Sequence, residues 1–283
     1  MLLKDFTTFK IGGPAKSFLR PADISRLRRV IKNSRERGEK VLVLGAGSNI
    51  LADDRGVDAV VIKLDAKCFQ GINNYGEIVE VGAGKPLSRL LAYCAQKGLS
   101  GAEFLAGIPG TVGGALAMNA GISLNKGKLA IGDLVERVLV LDYNNNLKVL
   151  ERAKLKFGYR QSNLAKYVIL GASFKLFPRE PGFVKSKLSE YLSLRKAAQD
   201  WAWPNAGCVF KNPENDSAGR LIDSCGLKGR RIGGAQVSRK HANFILNVEH
   251  ASSRDVLVLM REIKKTVKIK HKIILKNEIK IWK

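Results

Sequence analysis

Apolar residues recur along this chain with two different periods. Ile24, Leu27, Val30 and Ile31 fall three and four apart behind Asp23, a side chain suited to cap a helix, and Gly38 stands where that helix should stop. A second helix is predicted from Pro86, with Leu87, Leu90, Leu91, Cys94 and Ala95 on one face and Gly98 past its end. Further helical patterns run from Phe183 to about Asp200, from Ala218 to Cys225, and from Ser253 to about Lys268, where Val256, Leu257, Met260, Ile263 and Val267 carry the apolar spacing. Short apolar or alternating runs predict strands at Val41–Leu44, Ala59–Leu64, Ile78–Val81, Tyr167–Phe177, Cys208–Phe210, Ala242–Asn247 and Ile273–Leu275. Val135–Asp142 and Leu147–Leu150 flank Asn144-Asn145-Asn146 as a hairpin, and Thr7–Pro14 reads as a strand-like piece ending in a sharp turn. The chain opens as β-α-β. Helices and strands continue on both sides of a Pro-containing linker at 177–182, so the pattern predicts an α+β or α/β protein in two lobes.

Length and charge narrow this picture. At 283 residues the chain should hold two or three subdomains, and 45% hydrophobic content can fill their cores. The net charge of +24 raises nucleic-acid binding as a class, but the basic residues are dispersed. They are densest at Lys185–Lys196 and Arg261–Lys283, which also carry helix patterning, so a solvated basic surface attractive to anionic substrates is favoured over a dedicated nucleic-acid face. Cys68, Cys94, Cys208 and Cys225 lack CxxC spacing, which predicts neither a zinc site nor a disulfide framework. No apolar run approaches membrane-spanning length, and the expectation is a cytoplasmic protein without membrane insertion.

Candidate chemistry sits first in glycines. Gly107-Ile108-Pro109-Gly110-Thr111-Val112-Gly113-Gly114-Ala115-Leu116-Ala117-Met118-Asn119-Ala120-Gly121 has almost no side-chain polarity, so its hydrogen-bonding capacity is main-chain. If a helix starts at Thr111 or Val112, the unpaired amides of its first turn suit a phosphate; a tight turn feeding a closely packed small-residue helix is the competing reading. Gly45-Ala46-Gly47-Ser48-Asn49, delivered by the strand before it, supplies a second glycine turn, and two such turns favour a dinucleotide. Neither is a P-loop or a standard GxGxxG, since Ile50 occupies the place of the third glycine.

Taken together, the motifs resemble one family. Thr8–Pro14, Gly45–Asn49, Gly107–Gly121, Tyr159-Arg160-Gln161-Ser162, Ala206–Pro213, Gly233–Ser238, His241–Phe244 and Leu275–Ile279 occur in the order seen in the UDP-N-acetylenolpyruvoylglucosamine reductases (MurB), with the compactness of the type lacking an extra substrate-covering loop. The resemblance implies an α+β fold: a flavin-binding region of the vanillyl-alcohol-oxidase type over 1–177, in subdomains of about 1–65 and 66–177, and a substrate-binding domain over 178–283. It also implies FAD gripped at its pyrophosphate by both glycine turns, NADPH as co-substrate, and two hydride transfers ending on an enolpyruvyl nucleotide in peptidoglycan precursor synthesis; with all three histidines, His241, His250 and His271, in the second half, the FAD is expected to be non-covalent. A monomer acting on small molecules is expected.

By the same resemblance, three residues carry chemistry. Arg160 is the expected clamp for the enolpyruvyl carboxylate, Cys208 the proton donor where many relatives place Ser, and Glu278 a carboxyl group that polarises or protonates the substrate. Each role is chemically sound: a guanidinium pairs with a carboxylate through two hydrogen bonds, and a thiol is a far stronger acid than an alcohol. Without the family context, Arg160 reads as a surface ion pair, Cys208 as a core cysteine and Glu278 as a solvated acid. Lys211, Asn212 and Gln236 are the expected substrate contacts, with Ser238, His241 and Asn243 building the same lobe and His241 read as structural. Ile122–Gly127 departs from the family pattern after Gly121, which leaves flavin contacts there open. Two other classes are kept: an alcohol-acting flavoenzyme on the same architecture, which does not need Arg160, Cys208 and Glu278 together, and a basic RNA-binding protein.

Overall fold

A computed structural model describes residues 1–124 and 127–283. Asn125 and Lys126, inside the departure that follows Gly121, lie outside the described residues. The chain folds into two compact units, each assembled from separated segments. The larger comprises Ser17–Ala46 and Ala59–Arg195, and the smaller Met1–Lys16, Gly47–Asp58 and Lys196–Lys283.

The β-α-β pattern is present, but its first strand is Ala15–Leu19 rather than the anticipated Thr7–Pro14 piece. Helix α1 (Ile24–Glu36) starts where the Asp23 carboxylate accepts the Arg26 amide, buries Leu27 and Ile31, and ends before Gly38, whose φ of +64° suits the stop. Strand Val41–Leu44 then runs parallel to Val57–Lys63. The main sheet is five-stranded, in the order Leu147–Glu151, Val135–Leu141, Val168–Lys175, Ile78–Gly82, Ile72–Tyr75, with every neighbouring pair antiparallel. The Asn144–Asn146 turn closes the hairpin as expected, Leu141 facing Leu147. Helix α2 (Leu87–Lys97) buries the five residues its spacing singled out and stops at left-handed Gly98. Helix α3 (Val112–Met118) is capped by Thr111, and helix α4 (Pro181–Ala198) follows the linker.

The smaller unit holds an antiparallel four-stranded sheet in the order Asn205–Cys208, Phe244–Asn247, Ala235–Val237, Arg231–Ile232. Helix α5 (Ala218–Ser224) turns Leu221 and Ile222 inward, and helix α6 (Ser253–His271) packs Val256, Leu259, Met260, Ile263 and Val267 into the same core. A capping box starts α6: Ser252 Oγ accepts the Asp255 amide while the Asp255 carboxylate accepts the Ser252 amide. Three expectations fail here, the first being the strand Cys208–Phe210, which in the fold is Asn205–Cys208 with Phe210 left to an isolated bridge to Asn277. Ile273–Leu275 is irregular, because α6 ends at left-handed Lys272 and throws Ile274 out to solvent; the terminal strand is Lys280–Trp282, parallel to Ile50–Ala52. Thr7–Pro14 forms no strand either, since positive φ at Lys10 and Gly12 bends it, and Phe9 and Ile11 serve as core anchors instead.

Candidate active site

In the larger unit, glycine allows three turns to lie against one another. A Cβ on Gly45 would stand 2.7 Å from Thr111 Oγ1, and one on Gly113 would stand 2.9 Å from the Ala83 Cβ. Gly84 likewise lies against the Leu64 carbonyl, so Gly82-Ala83-Gly84 is a third member of the group. In sequence Gly82-Ala83-Gly84 reads only as the end of the Ile78–Val81 strand before the Pro86 helix, although its GxG pattern was a signal for a further turn of the group.

This packing corrects one expectation. The first-turn amides of α3 are not left for a phosphate: Val112 N–H donates to Lys85 O at 2.9 Å, Gly113 N–H to Ala83 O at 2.8 Å, and Gly114 N–H to Thr111 Oγ1 at 3.3 Å. The third turn and the residue after it consume the first two, and the Thr111 cap consumes the last. Among the described residues, the amides of Gly45, Ala46, Gly110 and Thr111 donate to no protein acceptor. Gly110 is open on its Cβ side, meeting only Leu87 Cδ1 at 3.6 Å. Lys63 Nζ donates to Gly45 O at 2.8 Å, and burial lowers its pKa, so a half-buried ammonium pins the first turn from behind. Unspent amides on glycines, next to open space, fit the diphosphate of a dinucleotide cofactor, and main-chain donors of this kind suit its anionic oxygens.

Asn119 ends α3 in a left-handed conformation, and its side-chain amide is committed to protein. Its Oδ1 accepts Gly132 N–H and its Nδ2 donates to Gly158 O, each at 3.0 Å. Gly121 has its Cβ direction filled by the Leu129 carbonyl, and Gly107 takes φ +75° ahead of Pro109, with Ile108 N–H turned back to Leu105 O.

Arg160 also lies in this unit. It occupies the tip of a tight hairpin, Phe157–Gly158 against Gln161–Ser162, anchored by Asn119 at Gly158 and by Ser162 Oγ donating to Ala117 O at 3.1 Å. Arg160 has φ +54°, a left-handed backbone that non-glycine residues seldom adopt, and its guanidinium carbon stands 5.4 Å from the Tyr159 ring centroid. Strain held at a charged tip by two anchors is a pattern found at functional positions.

The smaller unit assembles the other expected residues. Strand Asn205–Cys208 is bulged opposite Phe244–Asn247, with Gly207 at φ +72°, and the bulge re-aims Cys208 relative to a regular ladder. Beyond Cys208 the chain is held on both sides. Val209 and Phe210 N–H donate to Asn243 O and Oδ1, Asn243 Nδ2 donates to Phe210 O, Lys211 N–H donates to Lys276 O, and Glu278 N–H donates to Val209 O at 2.8 Å. The fold thereby brings the Glu278 segment alongside Cys208 across a long separation in sequence. Asn49, expected at the cofactor, donates through Nδ2 to Glu278 O at 3.3 Å and so supports that segment; Gly47 is required because Thr7 packs where its Cβ would stand, and Ser48 sits between them.

Cys208 lines a cleft of about 380 Å³ with Asn212, Ser217, Arg220, Asp223, Lys228, Lys240 and His241. Asn212 Oδ1 accepts the Ala218 amide. Arg220 pairs with Asp216, and Lys228 with Asp223 at 2.7 Å. Three cations against Asp223 give the lining a positive balance suited to an anionic ligand. Buried Ser238 organises the rim: its Oγ donates to Asp200 and accepts the amides of Lys240 and His241. His241 Nδ1 accepts Asn243 N–H, and burial, with Lys228 adding to it, lowers its pKa. Gln236 donates to Gly229 O at 3.1 Å, away from the cleft-lining set. Ser217, Arg220, Lys228 and Lys240 were missed, because in sequence they are scattered polar residues without a motif.

Comparison with known proteins matches the chain in two parts. Residues 15–150 match the FAD binding domain family, and 198–282 match the UDP-N-acetylenolpyruvoylglucosamine reductase C-terminal domain. The UDP-N-acetylenolpyruvoylglucosamine reductase of Desulforamulus reducens is 40% identical over 99% of this chain and 91% of its own. That of Geobacter metallireducens is 42% identical over 97% of this chain and 90% of its own. The crystal structure of UDP-N-acetylenolpyruvylglucosamine reductase (MurB) from Thermus caldophilus superposes with a TM-score of 0.85 at 38% identity, covering 100% of this chain and 98% of that one. No helix among the described residues is long and apolar enough to cross a membrane. With both halves matched and relatives similar over nearly its full length, the chain belongs to the UDP-N-acetylenolpyruvoylglucosamine reductase family.

Proposed function

We propose that this protein reduces UDP-N-acetyl-3-O-(1-carboxyvinyl)-glucosamine to UDP-N-acetylmuramate, with non-covalent FAD as cofactor and NADPH as electron source, in peptidoglycan precursor synthesis. The observation that carries the reading is Cys208 on a cationic cleft, with the Glu278 segment bonded alongside it, in a chain of this family. Flavin binding is assigned to 1–177 and substrate binding to 178–283, as functional regions distinct from the compact units. Gly45, Ala46, Gly110 and Thr111 offer main-chain donors to the diphosphate; Gly47, Ser48, Asn49, Gly107, Ile108, Pro109, Gly113, Gly114, Asn119 and Gly121 shape the turns that present them. Bound FAD supplies the relay of electrons and hydrogen from NADPH to the substrate.

The protein's own side chains manage charge and protons. Arg160 binds the enolpyruvyl carboxylate and stabilises the negative charge that moves into it when the β-carbon is reduced. The Cys208 thiol delivers a proton to the α-carbon, and Glu278 polarises the substrate's carboxyl group. Lys211 and Asn212 contact the nucleotide portion, and Gln236 supports that face. The protein acts as a cytoplasmic monomer. The test is to load it with FAD and follow NADPH loss with and without the enolpyruvyl nucleotide. Loss that requires the nucleotide and yields the lactyl ether is expected; failure to take up flavin, or NADPH loss that ignores the nucleotide, contradicts the assignment.

A further inference from the structure

The charge excess has its densest expression where helix α6 ends. From Ile263 to Lys283 the chain carries eight lysines against a single side-chain carboxylate, Glu278. The buried face of α6 is Val256, Leu259, Met260, Ile263 and Val267, so helical periodicity puts Arg261, Lys265, Lys268, Ile269 and Lys272 on the opposite side. All five are exposed. Ile269 is 62% exposed, and left-handed Lys272 then turns the chain so that Ile274 emerges 69% exposed between Lys272 and Lys276. The nearby carboxylates are already engaged: Glu262 pairs with Arg230, Asp223 with Lys228, and Asp216 with Arg220.

A solvated basic face has no use for two isoleucines standing in water among its lysines. A nucleic-acid face calls for aromatic platforms to stack on bases, and this patch has none. Lysines ringing protruding aliphatic side chains are complementary to a surface that is anionic at its outer layer and apolar just beneath. We propose that the end of α6, through Ile269, Ile274 and the lysines around them, docks this protein peripherally on a bilayer of anionic phospholipid. Long-range attraction comes from Lys265, Lys268, Lys270 and Lys272, and the isoleucines insert among the lipid chains near the headgroups. Neither isoleucine lines the Cys208 cleft, so docking and substrate binding use different parts of the unit.

Vesicle co-sedimentation of the FAD-loaded full chain tests this. Vesicles of phosphatidylglycerol mixed with phosphatidylcholine should bind the protein, and pure phosphatidylcholine vesicles should not. Ile269→Ser with Ile274→Ser should weaken binding by about tenfold or more, since each removes a buried aliphatic group. Lys265→Gln with Lys268→Gln should weaken it further at low salt than at high salt. Both double variants should keep the flavin and the solution reductase rate, which establishes that they fold. Absence of binding to the acidic vesicles, equal binding to neutral ones, binding indifferent to the serine substitutions, or tighter binding of a single-stranded RNA at the same salt would each overturn the proposal.

Discussion

The glycine turns of the larger unit and the cleft of the smaller one solve opposite problems. In the turns, side chains are removed so that backbones can approach: Gly45 against Thr111, Gly113 against Ala83, Gly84 against Leu64. In the cleft, side chains from four separate stretches are gathered around Cys208, with the backbone bulged and braced to aim them. A backbone site is sensitive to added atoms and a side-chain site to removed ones. The two should therefore fail differently when mutated.

The largest effect is expected at Cys208. Cys208→Ala should slow product formation by about 10²–10⁴-fold, the usual contribution of a positioned acid, with flavin reduction by NADPH nearly unchanged. Unchanged turnover would remove the thiol from the chemistry. Arg160 comes next. Arg160→Ala should lose most of the reductase rate, and Arg160→Lys should restore it only in part, because an ammonium cannot form the paired hydrogen bonds. Since φ is +54° there, Arg160→Gly should be more stable than Arg160→Ala by about 1 kcal/mol in denaturant titration while equally inactive. Equal stability would mean that the hairpin tip is not strained.

A pair of glycine substitutions sharpens the contrast on the other side. Gly113→Ala pushes a methyl to 2.9 Å from Ala83 Cβ and should destabilise the fold by about 1–3 kcal/mol. Gly110→Ala meets only Leu87 Cδ1 at 3.6 Å, so stability should hold within about 0.5 kcal/mol while FAD affinity falls. Unchanged FAD affinity in the Gly110 variant would show that the cofactor approaches elsewhere. The smallest effect belongs to His241. Its pKa is lowered by burial, so the unfolded chain takes up the proton first as pH falls below the ordinary histidine range. Stability is then lost on acidification, and His241→Gln should flatten that loss; an unchanged profile would place the ring in water.

The two regions also differ in how far they could be read before folding. Glycine spacing is local, so the turns at Gly45–Asn49 and Gly107–Gly121 were legible directly, and the helix limits at Asp23, Gly38 and Gly98 for the same reason; the Ser252 cap was not anticipated. Which amides stay unspent was not legible, because Lys85 and Ala83 consume those of Val112 and Gly113 from a turn well upstream. The cleft was half visible. Cys208 and Asn212 stood in a motif, whereas Arg220, Lys228 and Lys240 join them only through the packing of α5 and the Ser238 turn. The terminal strand was misplaced because Ile273–Leu275 has strand-like composition, while the left-handed Lys272 and the partner strand Ile50–Ala52 decide where pairing begins.

The most direct measurement separates the two halves of the reaction in one instrument. Stopped-flow absorbance of the FAD-loaded protein should show Cys208→Ala reduced by NADPH at the starting rate, then reoxidised by the enolpyruvyl nucleotide at least a hundred times more slowly, about the lower bound for loss of an acid. Equal reoxidation rates, or a variant that NADPH no longer reduces, would contradict the proposed division between glycine turns that hold the flavin and a cleft that protonates the substrate.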